Sequence, residues 1–320
     1  MKRLIELAIA ILALSLSSQA WAKTVIRFGH FPNVTHVQAL VAHNLSRQGK
    51  GWFEERLGPE VEILWSVYNA GPSAMEAIFA NSIDVTYVGP SPAINAYARS
   101  AGEEVRIVAG AANGGAALVI QPDSGIKAGA DFRGKRIATP QLGNTQDVSC
   151  RAWLTAQGLK VTQLGGDAQV LPTANPDQLS LFQQKKLDAV WTVEPWVSRL
   201  VRDAGGKVFL DEKDAVTTVL VSSVKFLNEN RVLLRKLVQA HKELTDWIVA
   251  HPEEARKIVI AELAEETRSK VSPELIAAAW PRIVLTNDVG LDNLRAYVGN
   301  AQKAGFLRTA PDLARLVQLP

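Results

Sequence analysis

Residues 139 to 154 read Thr-Pro-Gln-Leu-Gly-Asn-Thr-Gln-Asp-Val-Ser-Cys-Arg-Ala-Trp-Leu, and the fold turns on how this stretch folds locally. Just upstream, Lys135 to Thr139 form a short apolar run with strand character, while Val148, Ala152, Ala156 and Leu159 recur at helical spacing downstream. Between them Pro140, Gly143, Asn144 and Thr145 form a polar turn, and Asp147 falls in the first turn of the expected helix. A strand therefore feeds a turn that opens a helix. The first backbone N–H groups of a helix lack intrahelical partners and carry the positive end of its dipole, so such a turn can seat an anion. Asn144 and Thr145 can add side-chain donors; the competing reading makes one of them an ordinary N-cap that closes its own helix.

Working outward, the same alternation recurs. Val25 to Gly29, Val61 to Val67, Ile83 to Val88 and Val105 to Ala109 read as strands, with helical patterns around Val37 to Leu45, Ser73 to Ala80 and Pro92 to Ala98. The pattern loosens at Gly110 to Gly115. Ala116 to Ile120, Arg136 to Thr139, Gln169 to Leu171, Leu187 to Val193, Lys207 to Leu210 and Thr217 to Ser222 form a second set of strands. Helices dominate after Ser223, with an apolar stripe at Leu234, Leu237, Val238, His241, Leu244 and Ile248. The fold class expected is α/β, with mixed, mostly parallel sheets flanked by helices.

A weak internal repeat supports two similar units. Ala70 to Tyr87 aligns without a gap on Ala174 to Trp191, so that Pro72 meets Pro176, Met75 meets Leu179, Ile78 meets Phe182 and Asp84 meets Asp188. Each copy opens a helix with a proline near its first position and ends in Asp followed by a strand. Coincidence between two amphipathic helix-strand units is the alternative.

The N-terminus bounds the compartment. Lys2 and Arg3 precede an apolar run from Leu7 to Leu16 and an Ala20-Trp21-Ala22 cleavage pattern, which together read as a secretory signal peptide over residues 1–22. A formal charge of +3 on 320 residues points to neither nucleic acid nor an acidic membrane surface. Cys150 is the only cysteine, so an exported chain of this sequence is held by its core and not by an internal disulfide. A buried thiol is expected there.

Ligands of open α/β sheets bind beyond the carboxyl ends of strands. That rule selects the turns Gly29–His36, Tyr68–Ser73, Gly89–Pro92, Pro140–Thr145 and Thr192–Trp196, which, with Trp191 just before the last, supply Asn33, His36, Ser73, Ser91, Asn144, Thr145, Trp191, Glu194 and Trp196 as candidate ligand-binding residues. Glu194 suits either a ligand amine or the start of its own helix. His30, His36 and His43 show no metal-binding spacing, and no Cys/His cluster exists, so no metal or cofactor is expected. His241 reads as a core histidine. No Gly-x-Ser-x-Gly elbow or other nucleophile-base motif marks an enzyme; a hydrolase or lyase using His36 with Glu194 or Asp147 is a remote alternative.

Phe28-Gly-His-Phe-Pro-Asn33, Ala70-Gly-Pro-Ser73, Asp84-Val-Thr-Tyr-Val-Gly-Pro90, Gly143-Asn-Thr-Gln-Asp147 and Trp191-Thr-Val-Glu-Pro-Trp196, together with the signal peptide, resemble the periplasmic substrate-binding proteins of nitrate-, sulfonate- and taurine-type ABC importers. The resemblance implies a type II two-lobe fold closing by hinge motion on a trapped ligand. Residues 23–112 with 214–320 would form lobe one and residues 113–213 lobe two. It further implies a monomer in the periplasm that captures a small oxyanion, such as an aliphatic sulfonate, taurine or nitrate, for an inner-membrane permease with its cytoplasmic ATPase. The same family includes binders of bicarbonate and of thiamine-precursor pyrimidines. A related eukaryotic branch makes the pyrimidine with a cysteine-rich motif that this chain lacks.

Overall fold

Strand-helix alternation builds the first part of the chain: β1 (Thr24–His30), α1 (Val37–Arg47), α2 (Trp52–Leu57), β2 (Val61–Val67), α3 (Gly71–Phe79), β3 (Val85–Val88), α4 (Pro90–Arg99) and β4 (Val105–Gly114). The computed structural model describes residues 23–163 and 165–318; the expected signal peptide lies outside them. The middle of the chain forms β5 (Ala116–Ile120), β6 (Arg136–Thr139), α5 (Thr145–Ala156), the short pair β7 (Val161–Thr162) and β8 (Gly165–Gly166), β9 (Gln169–Pro172), α6 (Asn175–Gln183), β10 (Ala189–Val193), α7 (Trp196–Ala204) and β11 (Lys207–Asp211). The remainder is β12 (Val216–Ser223), α8 (Val224–Glu229), α9 (Arg231–Ala250), α10 (Pro252–Thr267), α11 (Pro273–Ala279), β13 (Ile283–Leu285) and α12 (Leu291–Lys303).

Two sheets result, in the orders β13-β4-β12-β3-β1-β2 and β11-β5-β10-β6-β9. Among the named strands, parallel pairing joins β1 with β2 and β3, and β6 with β9 and β10. The sheets are mixed, as expected, but parallel pairs do not predominate. The reason is topological: β4 and β5 follow each other across Gly114–Gly115, one in each sheet, and both pair antiparallel with their neighbours. Gly114 and Gly115 have φ of 72° and 73°, a left-handed conformation open to glycine, and a Cβ on Gly114 would lie 2.5 Å from the carbonyl oxygen of Arg282. The second crossing, between β11 and β12, is anchored there as well, because Gly114 N donates to the carbonyl of Ala215.

Each sheet carries its own core. Phe28 stacks on Trp65 at 4.7 Å and on Tyr87 at 5.4 Å within the first, and the stripe of α9 predicted from Leu234 to Ile248 is buried against it. Phe132, Trp153, Trp191 and Phe209 meet edge to face in the second. Cys150 is buried there as expected, and burial raises its pKa far above the usual thiol value. Among the described residues no helix is long and apolar enough to cross a membrane.

The repeat is structural. Arg27 N and Nε donate to Asp84 Oδ2 at 2.9 Å each, and Arg136 N and Nε donate to Asp188 Oδ2 at 2.8 and 3.3 Å. In both units the arginine also reaches the carbonyl of a residue in the left-handed conformation just past the helix, Asn81 or Lys185, and the Asp N–H returns a bond to the arginine carbonyl. The aligned aspartates therefore lock the strand after each repeat helix to the strand beside it.

Candidate functional site

The carboxyl ends of the strands in both sheets face one cavity of about 30 Å³, lined by 16 residues. Asn33, Thr35 and His36 come from the loop after β1, Asn69 to Gly71 from the start of α3, and Gly89 and Pro92 from the start of α4. The second unit adds Pro140, Asn144, Thr145 and Gln146 around the start of α5, Asn175 at the start of α6, and Val193 at the end of β10. None of the 16 is an acid, a lysine or an arginine.

Several helix starts therefore converge on an uncharged cavity, and they are not equivalent. The N-caps of α3 and α4 are Ala70 and Gly89, and neither helix has a side-chain cap. At α5 Asn144 Oδ1 accepts from Asp147 N at 2.9 Å, so Asn144 is the cap of its own helix. Asp147 brings a negative charge to that helix start, where its carboxylate accepts from Thr139 Oγ1, Gly143 N and Arg151 Nε. In the second unit α6, whose N-cap is Ala174, has no side-chain cap either, so uncapped positive ends reach the cavity from both units.

The cavity is closed by contacts between the two units. Ser91 N donates to Thr145 Oγ1 at 3.3 Å, Gln141 Nε2 to Ser73 Oγ at 3.0 Å, Trp196 Nε1 to Asn33 Oδ1 at 3.1 Å, and Val34 N to the carbonyl of Glu194 at 2.9 Å. Gly89 permits the approach of Thr145: a Cβ built on it would lie 2.3 Å from Thr145 Oγ1.

His36 is fully buried and tilts against Phe31 with ring centroids 4.4 Å apart. Burial and then the neighbouring His30 lower its pKa well below the usual histidine value, so the ring is neutral. Among the described residues its Nδ1 has no partner, and neither has the hydroxyl of buried Ser91. Neutral polar atoms without partners beside an uncharged cavity are what an uncharged or weakly hydrated anionic guest would use.

Of the nine residues singled out in the sequence, Asn33, His36, Asn144 and Thr145 line the cavity, and Ser73, Ser91 and Trp196 hold its walls together. Trp191 does not reach it. Strand alternation turns its ring into the core of the second unit, where Nε1 donates to Glu212 Oε2 at 2.9 Å. Glu194 also faces away: Oε1 lies 2.8 Å from Arg282 Nε and the carboxylate accepts from Ser198 N and Oγ. Burial raises the Glu194 pKa against the pull of Ser198 and Arg282. Asn69, Gly71 and Asn175 were missed by the sequence reading, although the first two belong to a turn it had selected and Asn175 is at the start of the second repeat helix.

His241 is the satisfied core histidine expected: Tyr87 Oη lies 2.8 Å from Nδ1 and the Gly110 carbonyl 2.8 Å from Nε2. Neither Asp147 nor Glu194 contacts His36, so the acid-base pair of a hydrolase is not assembled among the described residues.

Known proteins place this architecture. A relative in Brucella abortus, named provisionally as a binding protein, is 27% identical over 265 residues, 80% of this chain and 77% of that one. One in Escherichia coli, named provisionally as an aliphatic sulfonates-binding protein, is 31% identical over 163 residues, 50% of this chain and 49% of that one. The alkanesulfonate-binding protein SsuA of Xanthomonas axonopodis pv. citri, solved bound to MOPS, superposes with a TM-score of 0.74 at 18% identity, covering 93% of this chain and all of that one. The fold is thus the two-lobe α/β fold of periplasmic binding proteins, and, with the family model matching residues 19–264, the chain belongs to the NMT1-like family.

Proposed function

We propose that this chain is the soluble solute-binding component of an ABC importer, exported through residues 1–22, and that it captures a small oxyanion in the cavity between its sheets. The observation that carries the reading is the uncharged lining, on which the starts of α3, α4 and α6 converge without side-chain N-caps, beside the unpartnered His36 Nδ1 and Ser91 hydroxyl. Backbone N–H groups at helix starts hold oxyanions without a countercharge, because the donors are fixed and the dipole favours negative charge. The sulfonate named for one relative matches that chemistry. Taurine fits less well than a plain alkanesulfonate or nitrate, since no carboxylate lines the cavity to receive its ammonium. The same fact weighs against a cationic guest held by Glu194, which is occupied by Arg282.

In this reading residues 23–112 with 214–320 and residues 113–213 are the two lobes, and they open about Gly114–Gly115 and the segment before β12. Asn33, His36, Ser73, Ser91, Asn144, Thr145 and Trp196 form the ligand enclosure. Delivery is to a membrane permease driven by a cytoplasmic ATPase; the protein turns over no substrate. Thermal denaturation with methanesulfonate, ethanesulfonate, nitrate, taurine and a hydroxymethylpyrimidine tests the assignment, because specific binding raises the midpoint by mass action. Stabilisation by the simple anions is expected. Stabilisation by the pyrimidine alone would contradict it.

A further inference from the structure

Away from the cavity lining, β1, α1 and α10 bring four side chains to one point in the first unit. His30 Nε2 and His43 Nδ1 are 3.2 Å apart, and Glu266 Oε1 is 3.0 Å from each. Glu262 Oε1 is 2.9 Å from His43 Nδ1. The side chains of His30, Glu262 and Glu266 are wholly buried, and that of His43 is 9% exposed. Glu262 and Glu266 are one helical turn apart and so share a face of α10.

Hydrogen bonding cannot account for all four contacts. Each ring nitrogen carries at most one proton, so at most two of the four close pairs can have a proton between them. If both nitrogens are protonated, two N–H groups confront each other across the nitrogen pair. Glu266 Oε2, moreover, is buried and has no partner among the described residues. Buried carboxylate oxygens are rarely left so, and when they are, the missing partner is commonly an ion or a water.

The three atoms His30 Nε2, His43 Nδ1 and Glu266 Oε1 form a nearly equilateral triangle. A cation about 2.1 Å from each would sit about 1 Å out of their plane and see them about 95° apart, between octahedral and tetrahedral values. The outer contacts also suit a metal ligand set. His30 Nδ1 lies 3.4 Å from the Phe31 carbonyl, which favours a lone pair on Nε2, while Asn44 Nδ2 and Arg47 Nε hold Glu262.

We propose that His30, His43 and Glu266, with Glu262 completing the shell, bind one divalent first-row transition-metal ion of the zinc type. The ion pins α10 and α1 to β1 and is a structural element of the first lobe. It is independent of which guest the cavity takes, since none of the four residues lines the cavity.

The test uses the whole chain without an affinity tag, stripped with EDTA, equilibrated with Zn²⁺ alone and dialysed. The protein is expected to retain about one Zn²⁺ per chain, with a midpoint about 5 °C higher at a hundredfold excess over Kd. Glu266→Gln and His43→Asn should each reduce retention at least tenfold. Should either variant not fold, anomalous scattering at the zinc edge from wild-type crystals decides, with a peak expected between the four side chains. Retention well below one ion per chain, equal retention by Glu266→Gln, or a peak elsewhere would overturn the proposal in favour of a network held by protons alone.

Discussion

The two units use one device and finish it differently. Both lock a strand to its neighbour by an aspartate that takes the N–H and Nε of an arginine, Asp84 with Arg27 and Asp188 with Arg136, and both open a repeat helix with proline near its first position. At the cavity they diverge. The starts of α3 and α4 in the first unit and of α6 in the second have no side-chain caps, whereas the start of α5 is closed by Asn144 and already faces Asp147. Both units thus bring uncapped helix starts to the cavity, and the capped start of α5 carries Thr145 against Gly89 and Ser91. All five histidines of the chain also lie in the first unit.

That last asymmetry predicts the largest effect. Burial lowers the pKa of His241 to about 4, while the hydrogen bond to the Gly110 carbonyl opposes this. Between pH 6.5 and about 4 the unfolded state binds a proton that the folded state refuses, so stability present above pH 6.5 is lost on acidification, by about 3 kcal/mol for this residue alone. Urea unfolding at pH 7 and pH 4.5 should show that His241→Gln is less acid-sensitive than the parent. Equal acid sensitivity would remove His241 from the account.

Gly89→Ala tests the contact that brings the two units together at Thr145. Its φ of −67° suits alanine, so folding should change by less than about 1 kcal/mol, whereas the new Cβ would lie against Thr145 Oγ1. Ligand affinity by calorimetry should fall about a hundredfold, about 2.7 kcal/mol, and recover in part when Thr145→Ala is added. Unchanged affinity in Gly89→Ala would show that closure does not depend on this contact.

The matched locks can be graded against each other. Asp84 is 11% exposed and its arginine 36%, against 24% and 42% for Asp188 and Arg136, so the first lock is the better shielded. Asp84→Ala should cost about 2–3 kcal/mol in urea titration and Asp188→Ala about 1 kcal/mol less. Reversal of that order would mean that exposure does not set their strength. The smallest effect on binding is expected from Trp191→Phe, within about twofold by calorimetry, since the ring lies in the core of the second lobe. A larger loss would return Trp191 to the ligand enclosure.

Much of the fold was legible because strand-helix alternation is local and the repeat aligned Asp84 with Asp188 without a gap. What remained hidden depended on distant partners. Glu194 could not be assigned from its turn alone, since its charge is met by Arg282 from the far end of the chain. Trp191 was misjudged because its motif does not reveal which side of β10 each residue takes. The histidine-glutamate cluster joins residues 13 and 223 positions apart, so no motif spacing announces it. The cavity loops were legible as turns, but whether the start of α5 stays open depends on the conformation of Asn144, and the sequence allowed that residue either role.

A crystal structure of the protein with methanesulfonate tests the central claim most directly. The account predicts the sulfonate oxygens within hydrogen-bonding distance of backbone N–H groups at the starts of α3, α4 or α6, with His36 and Thr145 beside them. Sulfonate bound outside the space between the two sheets, or held by a lysine or arginine side chain, would contradict it.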